Sequence, residues 1–243
     1  MNSAEFNSTA EVPYIPAPWE LRGSSYILVY RFPAWFAERV ADHVPELEGR
    51  FAGGLGAVIV VDYHATDAGP YRELLLIPGQ FHRQGRHYYS VTQIDVTTEI
   101  SLVNGRRNWG LPKRLVRAGI EPAGGRRERF RFSRDGAPYA GFTFRPLPVK
   151  LPATTAVLPT RLRTLMQLRE GRLYFFAPSA VGRLAPAIVD EAWVNGDRFP
   201  DFTSGRLLVA FKLENFRLHF PQAFIVASVT PGPGVSGQGD RSS

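Results

Sequence analysis

The pattern of apolar and polar positions along the chain predicts mostly β-strands. Residues 25–31 and 57–63 are short runs of β-branched and aromatic residues, as expected for buried strands. Residues 127–133 alternate charged with aromatic side chains, and Asp135-Gly136 supplies a turn into a partner strand at 139–144. Further strands are predicted over residues 73–77, 88–96, 172–176 and 206–220.

One short amphipathic helix is predicted over residues 32–44. Pro33 suits a first helical turn, and Trp35, Phe36 and Val40 recur at helical spacing. The 20 prolines and 23 glycines favour many turns over long helices. We therefore predict a mainly β (α+β) fold, an antiparallel β-barrel or cone-like curved sheet with a few short helices.

The polar ends of the chain differ in composition from its middle. Residues 1–13 are predicted to form a flexible N-terminal segment, and residues 230–243, rich in Gly, Ser and Pro, a disordered tail. No linker or repeat interrupts the region between them. Residues 14–229 are therefore predicted to form a single domain.

The composition excludes several classes of chemistry. The chain has no cysteine, which rules out disulfides, thiolate metal sites and cysteine nucleophiles. The N-terminus lacks the basic and apolar regions of a secretory signal, and no run of about 18 apolar residues occurs. We expect a cytoplasmic protein without a membrane partner.

The net charge of +7 suggests a nucleic-acid partner, but the basic residues are spread along the whole chain. The alternation at 127–132 is explained as well by a strand with one wet face as by a base-stacking surface, so we expect no nucleic-acid partner. Only Lys113, Lys150 and Lys212 of the 29 basic residues are lysines. Since only lysine can lose its proton and attack a carbonyl, each lysine is conspicuous.

Metal, phosphate and serine-hydrolase motifs are not evident. The Gly-rich residues 52–56 precede a strand, whereas a phosphate loop follows one, and no GxSxG sequence occurs. The histidines show no HExxH spacing and are interpreted as structural, so no metal is expected; they are His43, His64, His82, His87 and His219.

Lys113 is the strongest candidate for a reactive residue. It follows Pro112 in a segment rich in large apolar side chains. Burial there, assisted by the neighbouring Arg114 cation, is expected to lower the lysine pKa, which leaves a neutral amine able to attack a ketone. The alternative from the residues alone is a surface lysine whose stem crosses an apolar patch.

Gly105-Arg106, Gly110 and Pro112-Lys113 together resemble the signature of the acetoacetate decarboxylase family. The usual form of that signature is G-R-E, two variable residues, G, an apolar residue and P-K-K. The resemblance implies that Lys113 forms a Schiff base; acetoacetate decarboxylase is itself the standard example of a lysine activated by desolvation or a neighbouring cation.

Weaker similarity extends over roughly residues 16–225. Tyr71-Arg72-Glu73 resembles a Y-x-E segment of the family whose glutamate lies in the active site, while Pro18-Trp19 and residues 191–193 resemble shorter family segments. The family fold, a largely antiparallel β-barrel or cone with the lysine inside, agrees with the strand pattern.

Three positions depart from the family pattern. The second lysine of the signature is replaced by Arg114, and the glutamate of G-R-E by Arg107. The arginine that would hold a substrate carboxylate has only Arg22 as its nearest candidate. Acetoacetate itself is therefore a less certain substrate than the imine chemistry.

The resemblance implies a carboxy-lyase that forms an imine with a β-keto acid, acetoacetate or a longer analogue, and releases a ketone and CO₂ without any cofactor. The partner is a small keto acid, and a homo-oligomer is expected. The alternatives are a Schiff-base aldolase/dehydratase acting on pyruvate and an aldehyde, and a non-catalytic barrel that binds a small molecule. The implied residues are Lys113 and Glu73 for catalysis, and Arg106, Arg114, Arg22, Tyr71 and Trp109 for substrate binding.

Overall fold

The computed structural model describes residues 11–41 and 47–227. Most of the predicted flexible N-terminal segment, the predicted tail and the end of the helix predicted to reach residue 44 lie outside the described residues. Within the described ranges, no helix is both long and apolar enough to cross a membrane. The helices there are α1 (Ala34–Ala41) and α2 (Glu99–Trp109), with single 3-10 turns at Thr155–Val157, Thr160–Leu162 and Phe202–Ser204.

Strands account for most of the described chain. In chain order they are β1 (Trp19–Arg31), β2 (Phe51–Gly53), β3 (Gly56–Ala65), β4 (Tyr71–Ile77), β5 (Gln80–Arg83), β6 (Arg86–Tyr89), β7 (Gln93–Val96), β8 (Lys113–Leu115), β9 (Arg117–Pro122), β10 (Glu128–Arg134), β11 (Ala137–Pro146), β12 (Leu151–Thr154), β13 (Leu165–Arg169), β14 (Arg172–Phe176), β15 (Ser179–Val194), β16 (Arg206–Phe220) and β17 (Phe224–Ala227).

The strands form two sheets. The larger has 11 strands in the order β8-β7-β4-β3-β1-β16-β15-β11-β10-β9, with β12 added to β15, and it curls strongly into a half-barrel. The smaller has six strands in the order β17-β14-β13-β6-β5-β2. Pairing is antiparallel except between β7 and β8 and between β6 and β13. The predicted fold class, a mainly β protein with a strongly curved antiparallel sheet, is confirmed.

The predicted hairpin at Asp135-Gly136 is present and joins β10 to β11. Both turn residues have positive φ, 52° and 77°, as a tight two-residue hairpin turn requires. The strand predicted over residues 88–96 is instead two strands, because the chain leaves the smaller sheet after β6 and enters the larger one at β7.

Alternation along the strands gives the larger sheet two buried faces. Leu28, Val60 and Leu74 face a core that contains the aromatic side chains of β10 and β11. Val61 faces a second core, shared with α2 and the smaller sheet. Because successive residues of a strand point to opposite faces, Glu73, next to Leu74, faces the second side.

Helix α2 was not predicted, because its buried side is polar. Its buried residues include Ser101, Asn104 and Asn108. The two asparagine side chains bond to the backbone of the segment before β1, at Ile15 and at Pro13. These hydrogen bonds, together with the buried Trp109, hold a helix that lacks the continuous apolar stripe of an amphipathic helix.

Candidate active site

A cavity of about 250 Å³ lies on the second face of the larger sheet. Strands β1, β3, β4 and β7 contribute side chains to it, together with the end of α2, the start of β8 and parts of β13 and β16. Nearly all of the lining is apolar. Lys113 and Glu73, the two predicted catalytic residues, are among the few polar side chains that face this space.

Lys113 is the first residue of β8, and its side chain is 3% exposed. Its Nζ donates hydrogen bonds to Glu73 Oε2 at 3.2 Å and to Ser101 Oγ at 2.9 Å. The same nitrogen lies 5.1 Å from the centre of the Tyr71 ring. The strand and the helix α2 therefore place one amine among a carboxylate, a hydroxyl and an aromatic face.

Burial lowers the pKa of Lys113 below its usual value, and the Glu73 carboxylate opposes that shift. Burial removes water from the ammonium form, so that form is less favourable relative to the neutral amine than it is in water. The expected contribution of Arg114 is corrected: burial, without Arg114, accounts for the lowered pKa. A neutral amine in an apolar space is a nucleophile.

Two tyrosines complete the polar group around Glu73. The Tyr63 hydroxyl donates a hydrogen bond to Glu73 Oε1 at 3.2 Å, and the Tyr63 and Tyr71 rings lie 4.6 Å apart. The pKa values of both phenols are raised well above the usual tyrosine value, mainly by burial and, to a smaller extent, by the nearby Glu73 carboxylate. Both therefore remain neutral and can act as hydrogen-bond donors.

The glycine of the predicted signature allows a close approach between α2 and Lys113. A Cβ atom at Gly105 would lie 2.6 Å from Lys113 Cδ and Cε and 3.1 Å from Nζ. The Lys113 side chain thus passes directly against the backbone of α2 at Gly105, which has no side chain to block it. Gly110 ends α2 with φ of 65°, a left-handed conformation that favours glycine.

Arg106 does not line the cavity. Its guanidinium donates hydrogen bonds to the backbone carbonyl of Lys113, with Nε at 3.0 Å. Arg106 therefore fixes the start of β8 from outside the cavity, and its predicted role in substrate binding stays a prediction.

Arg114 points away from the cavity because it follows Lys113 in a strand. Its Nε donates to Asp95 Oδ1 at 3.0 Å, and Asp95, which is fully buried, also accepts hydrogen bonds from Gln93 and Tyr139. The structure does not bring Arg114 to the cavity. Instead, the Arg114 side chain links β8 to β7 on the opposite face of the sheet.

Arg22 is exposed and also lies outside the cavity. Its neighbours Leu21 and Gly23 are buried, so alternation along β1 turns Arg22 to the outside. Arg107 is exposed as well. The structure therefore does not bring Arg22 to the cavity, and its predicted role as the carboxylate-binding arginine stays a prediction.

Trp109 and Tyr71 line the cavity, as predicted. The Trp109 indole packs edge-on against Trp19 at 5.0 Å and Phe220 at 4.7 Å. Its Nε1 donates to the Pro221 carbonyl at 2.7 Å. The polar atom of the indole is thus turned to the backbone, and the ring presents an apolar surface to the cavity.

Sequence reasoning missed two residues that contact the catalytic candidates, Ser101 and Tyr63. Ser101 lies four residues before Gly105, on the same side of α2, a spacing that identifies it once the helix is known. Tyr63 is the cross-strand partner of Tyr71 in the β3–β4 pair. Identification of Ser101 requires helix α2, which was not predicted. Identification of Tyr63 requires the β3–β4 pairing, which the sequence does not specify.

The described ranges contain no group of three histidine, aspartate or glutamate side chains arranged to hold a metal ion. His43 lies outside the described residues.

Over the whole chain, similarity to known proteins is detected by comparison of structures. No protein-family model matches the chain, and no curated protein matches it significantly. The enduracididine biosynthesis enzyme MppR with HEPES bound superposes with a TM-score of 0.63 at 16% identity, over 89% of this chain and 90% of that one.

Two further structures are similar to the same extent. An acetoacetate decarboxylase from Legionella pneumophila gives a TM-score of 0.62 at 12% identity, over 88% of this chain and 89% of that one. An acetoacetate decarboxylase-like enzyme from Sphingomonas wittichii RW1 gives 0.62 at 13% identity, over 94% and 100%. The chain therefore has the acetoacetate decarboxylase-like fold, which confirms the predicted resemblance at the level of the fold.

Replacing Glu73 with glutamine is expected to lower the pKa of Lys113 further, since the carboxylate is the group that raises it. The Lys113 amine would then become neutral at a lower pH than in the unmodified protein. The pH dependence of Lys113 acetylation by acetic anhydride, followed by peptide mass mapping, measures this. The exposed Lys150 is the reference within the same sample, and an unchanged or higher midpoint for Lys113 would contradict the expected direction.

Proposed function

We propose that the protein is a lyase in which Lys113 forms a Schiff base with a β-keto acid and releases CO₂ and a ketone. The observation that carries this proposal is a buried lysine, with a pKa lowered by burial, in contact with a carboxylate at the wall of an apolar cavity. No cofactor is needed for the proposed steps.

Proton transfer within the Lys113–Glu73 pair starts the proposed reaction. When Glu73 takes the proton of the ammonium group, the amine is free to attack the keto carbon of the substrate. The carbinolamine that forms must lose water, and the Glu73 carboxylic acid can protonate the departing hydroxyl. The Nζ–Oε2 distance of 3.2 Å supports the first of these two transfers.

Carbon–carbon cleavage follows from the iminium ion. The bond to the carboxylate breaks and its electron pair moves toward the iminium nitrogen. CO₂ departs, and the remaining group on Lys113 is an enamine. A proton taken up from water, directly or relayed through Glu73, then reaches the carbon that carried the carboxylate. Hydrolysis of the resulting imine releases the ketone and restores Lys113, so that the net reaction consumes one proton.

The cavity favours decarboxylation over reactions that keep the carboxylate. Among the described residues, no arginine or histidine lines the cavity. A buried carboxylate without a partner is costly. That cost is relieved when the carboxylate departs as CO₂, whereas a pyruvate-derived intermediate would bear it throughout the reaction.

A second candidate is an aldolase/dehydratase reaction of pyruvate with an aldehyde. MppR, which shares the fold, has structures in complex with pyruvate and with the condensation product of pyruvate and imidazole 4-carboxaldehyde. The same buried lysine would serve that reaction, so the two candidates differ in the substrate and in the step that follows imine formation. The third candidate, a non-catalytic barrel, requires no imine.

Borohydride trapping tests the proposed chemistry. The protein is incubated with acetoacetate or, separately, with pyruvate, then reduced, and the adduct is located by peptide mass mapping. We expect a stable adduct on Lys113, and CO₂ release from the β-keto acid.

Other outcomes discriminate among the candidates. An adduct on Lys212, which is also buried beside glutamates but lies outside the cavity, would overturn the site assignment. Condensation of pyruvate with an aldehyde, without CO₂ release from keto acids, would favour the aldolase/dehydratase. Folded protein that gives no adduct with either these compounds or longer ketones would support the binding barrel.

A further inference from the structure

The floor of the cavity leads away from Lys113 as a row of hydrocarbon side chains. In the sheet, Lys113 pairs with Ile94, Ile94 with Leu75, Leu75 with Ile59 and Ile59 with Ile27. All five side chains line the cavity. Four interstrand spacings separate the ends of the row, roughly 19 Å along the curved sheet.

The polar groups of the cavity are concentrated at one end of this floor. Glu73 and Tyr71 lie on β4, close to the lysine, and Tyr63 pairs with Tyr71. Farther along, Ser25 and Thr155 are the other hydroxyl-bearing side chains that line the cavity. The nitrogen atoms of Trp19 and Trp109 are both turned to backbone carbonyl oxygens.

The charges in the cavity leave no place for a second ionic group of a substrate. Within the described part of the chain, Lys113 is the sole lysine, arginine or histidine that lines the space, and Glu73 already neutralises it. An additional anion at the far end would be buried without a partner, which is costly. The far end therefore accepts an uncharged, apolar group.

The cavity is also large for a four-carbon acid. An engineered apolar cavity of about 150 Å³ accepts a six-carbon ring. On that scale, the cavity of about 250 Å³ corresponds to a molecule of roughly ten carbons. Acetoacetate would leave most of the apolar floor uncovered.

We propose that the substrate is a medium-chain β-keto acid, with its keto group at Lys113 and an alkyl chain along the row from Ile94 to Ile27. This inference rests on the imine chemistry proposed above, and it names the substrate class for that site. The reaction would convert the keto acid and one proton into a methyl ketone and CO₂.

A series of substrates tests the chain length. CO₂ release would be measured with acetoacetate, 3-oxohexanoate, 3-oxooctanoate and 3-oxodecanoate, each corrected for spontaneous decarboxylation. We expect kcat/KM to rise roughly fourfold for each CH₂ that becomes buried, or roughly 250-fold over the four CH₂ groups from acetoacetate to 3-oxooctanoate. Borohydride trapping of the corresponding methyl ketones on Lys113 should follow the same order.

Ile27→Phe places a larger side chain at the far end of the floor. We expect the preferred chain to become shorter, with the rate for 3-oxodecanoate reduced more than the rate for 3-oxohexanoate. Ile188→Phe is the matched control, because Ile188 is exposed on β15 and does not line the cavity. Its chain-length profile should equal that of the unmodified protein.

The outcomes separate this inference from the proposed function. One outcome is that acetoacetate is trapped and decarboxylated with a kcat/KM that longer chains do not raise. That result would overturn the chain-length inference and leave the imine chemistry standing. No adduct on Lys113 with any ketone of the series would overturn both. A chain-length optimum that Ile27→Phe does not move would contradict the placement of the chain on this floor.

Discussion

Lys113→Met is expected to abolish CO₂ release and imine trapping, with a loss of turnover of at least about 10³-fold. The proposed reaction begins with a covalent bond to Nζ, and methionine fills a similar volume without a nucleophilic nitrogen. Residual rates should equal the spontaneous decarboxylation of the substrate. The measurement is CO₂ release by purified, folded variant, combined with borohydride trapping.

The variant needs a control for folding, because it leaves Glu73 buried without its partner. In the double variant Lys113→Met/Glu73→Gln, both charges are removed. Removal of one partner of a buried ion pair costs about 3–5 kcal/mol, because it leaves an uncompensated buried charge, and the double variant leaves none. Urea unfolding should therefore show the double variant to be more stable than Lys113→Met, while both are inactive.

Lys150→Met provides the matched control for activity. Lys150 is exposed, pairs with Glu214 and lies away from the cavity. It should retain the rate and the adduct on Lys113 of the unmodified protein. Turnover by Lys113→Met above the spontaneous rate would show that another group performs the chemistry.

The alternation of side chains made much of the β-structure predictable. Strand β10 buries one face and alternates charged with aromatic residues, whereas β3 is buried on both faces and is a continuous apolar run. The long strand β15 was not predicted, since Gly182 and Pro186 interrupt its pattern. Strand β15 is held in place by pairing with β11, β12 and β16. Pairings between segments distant in sequence are not encoded in the strand propensity of single residues.

The site was predictable where a motif carried it and not where the direction of side chains mattered. The signature pointed to Lys113 and the Y-x-E segment to Glu73. In the structure, Lys113 Nζ and Glu73 Oε2 lie 3.2 Å apart. Arg114 and Arg22 were expected to bind substrate, yet both lie on faces turned away from the cavity. Adjacent residues of a strand cannot share a face, so the position of Lys113 already excluded Arg114 once β8 was known.

The substitution Gly105→Ala is expected to reduce turnover by about 10²-fold without unfolding the protein. An added Cβ would lie 2.6 Å from Lys113 Cδ and Cε, a distance that forces the lysine side chain to move. A misplacement of about 1 Å at a reacting group can cost this much in rate. Steady-state CO₂ release and the rate of borohydride trapping should both fall.

The stability of Gly105→Ala distinguishes displacement of the lysine from general damage to the helix. Alanine is favoured over glycine in a helix by about 1 kcal/mol, which opposes the cost of the new contact with a flexible side chain. We therefore expect a near-native unfolding midpoint in urea together with the loss of activity. Gly119→Ala is the control, since a Cβ there meets nothing within 4 Å, and its activity should not change. Full activity in Gly105→Ala would mean that Lys113 can reach the substrate from a second position, and the close approach of α2 would then not be required for catalysis.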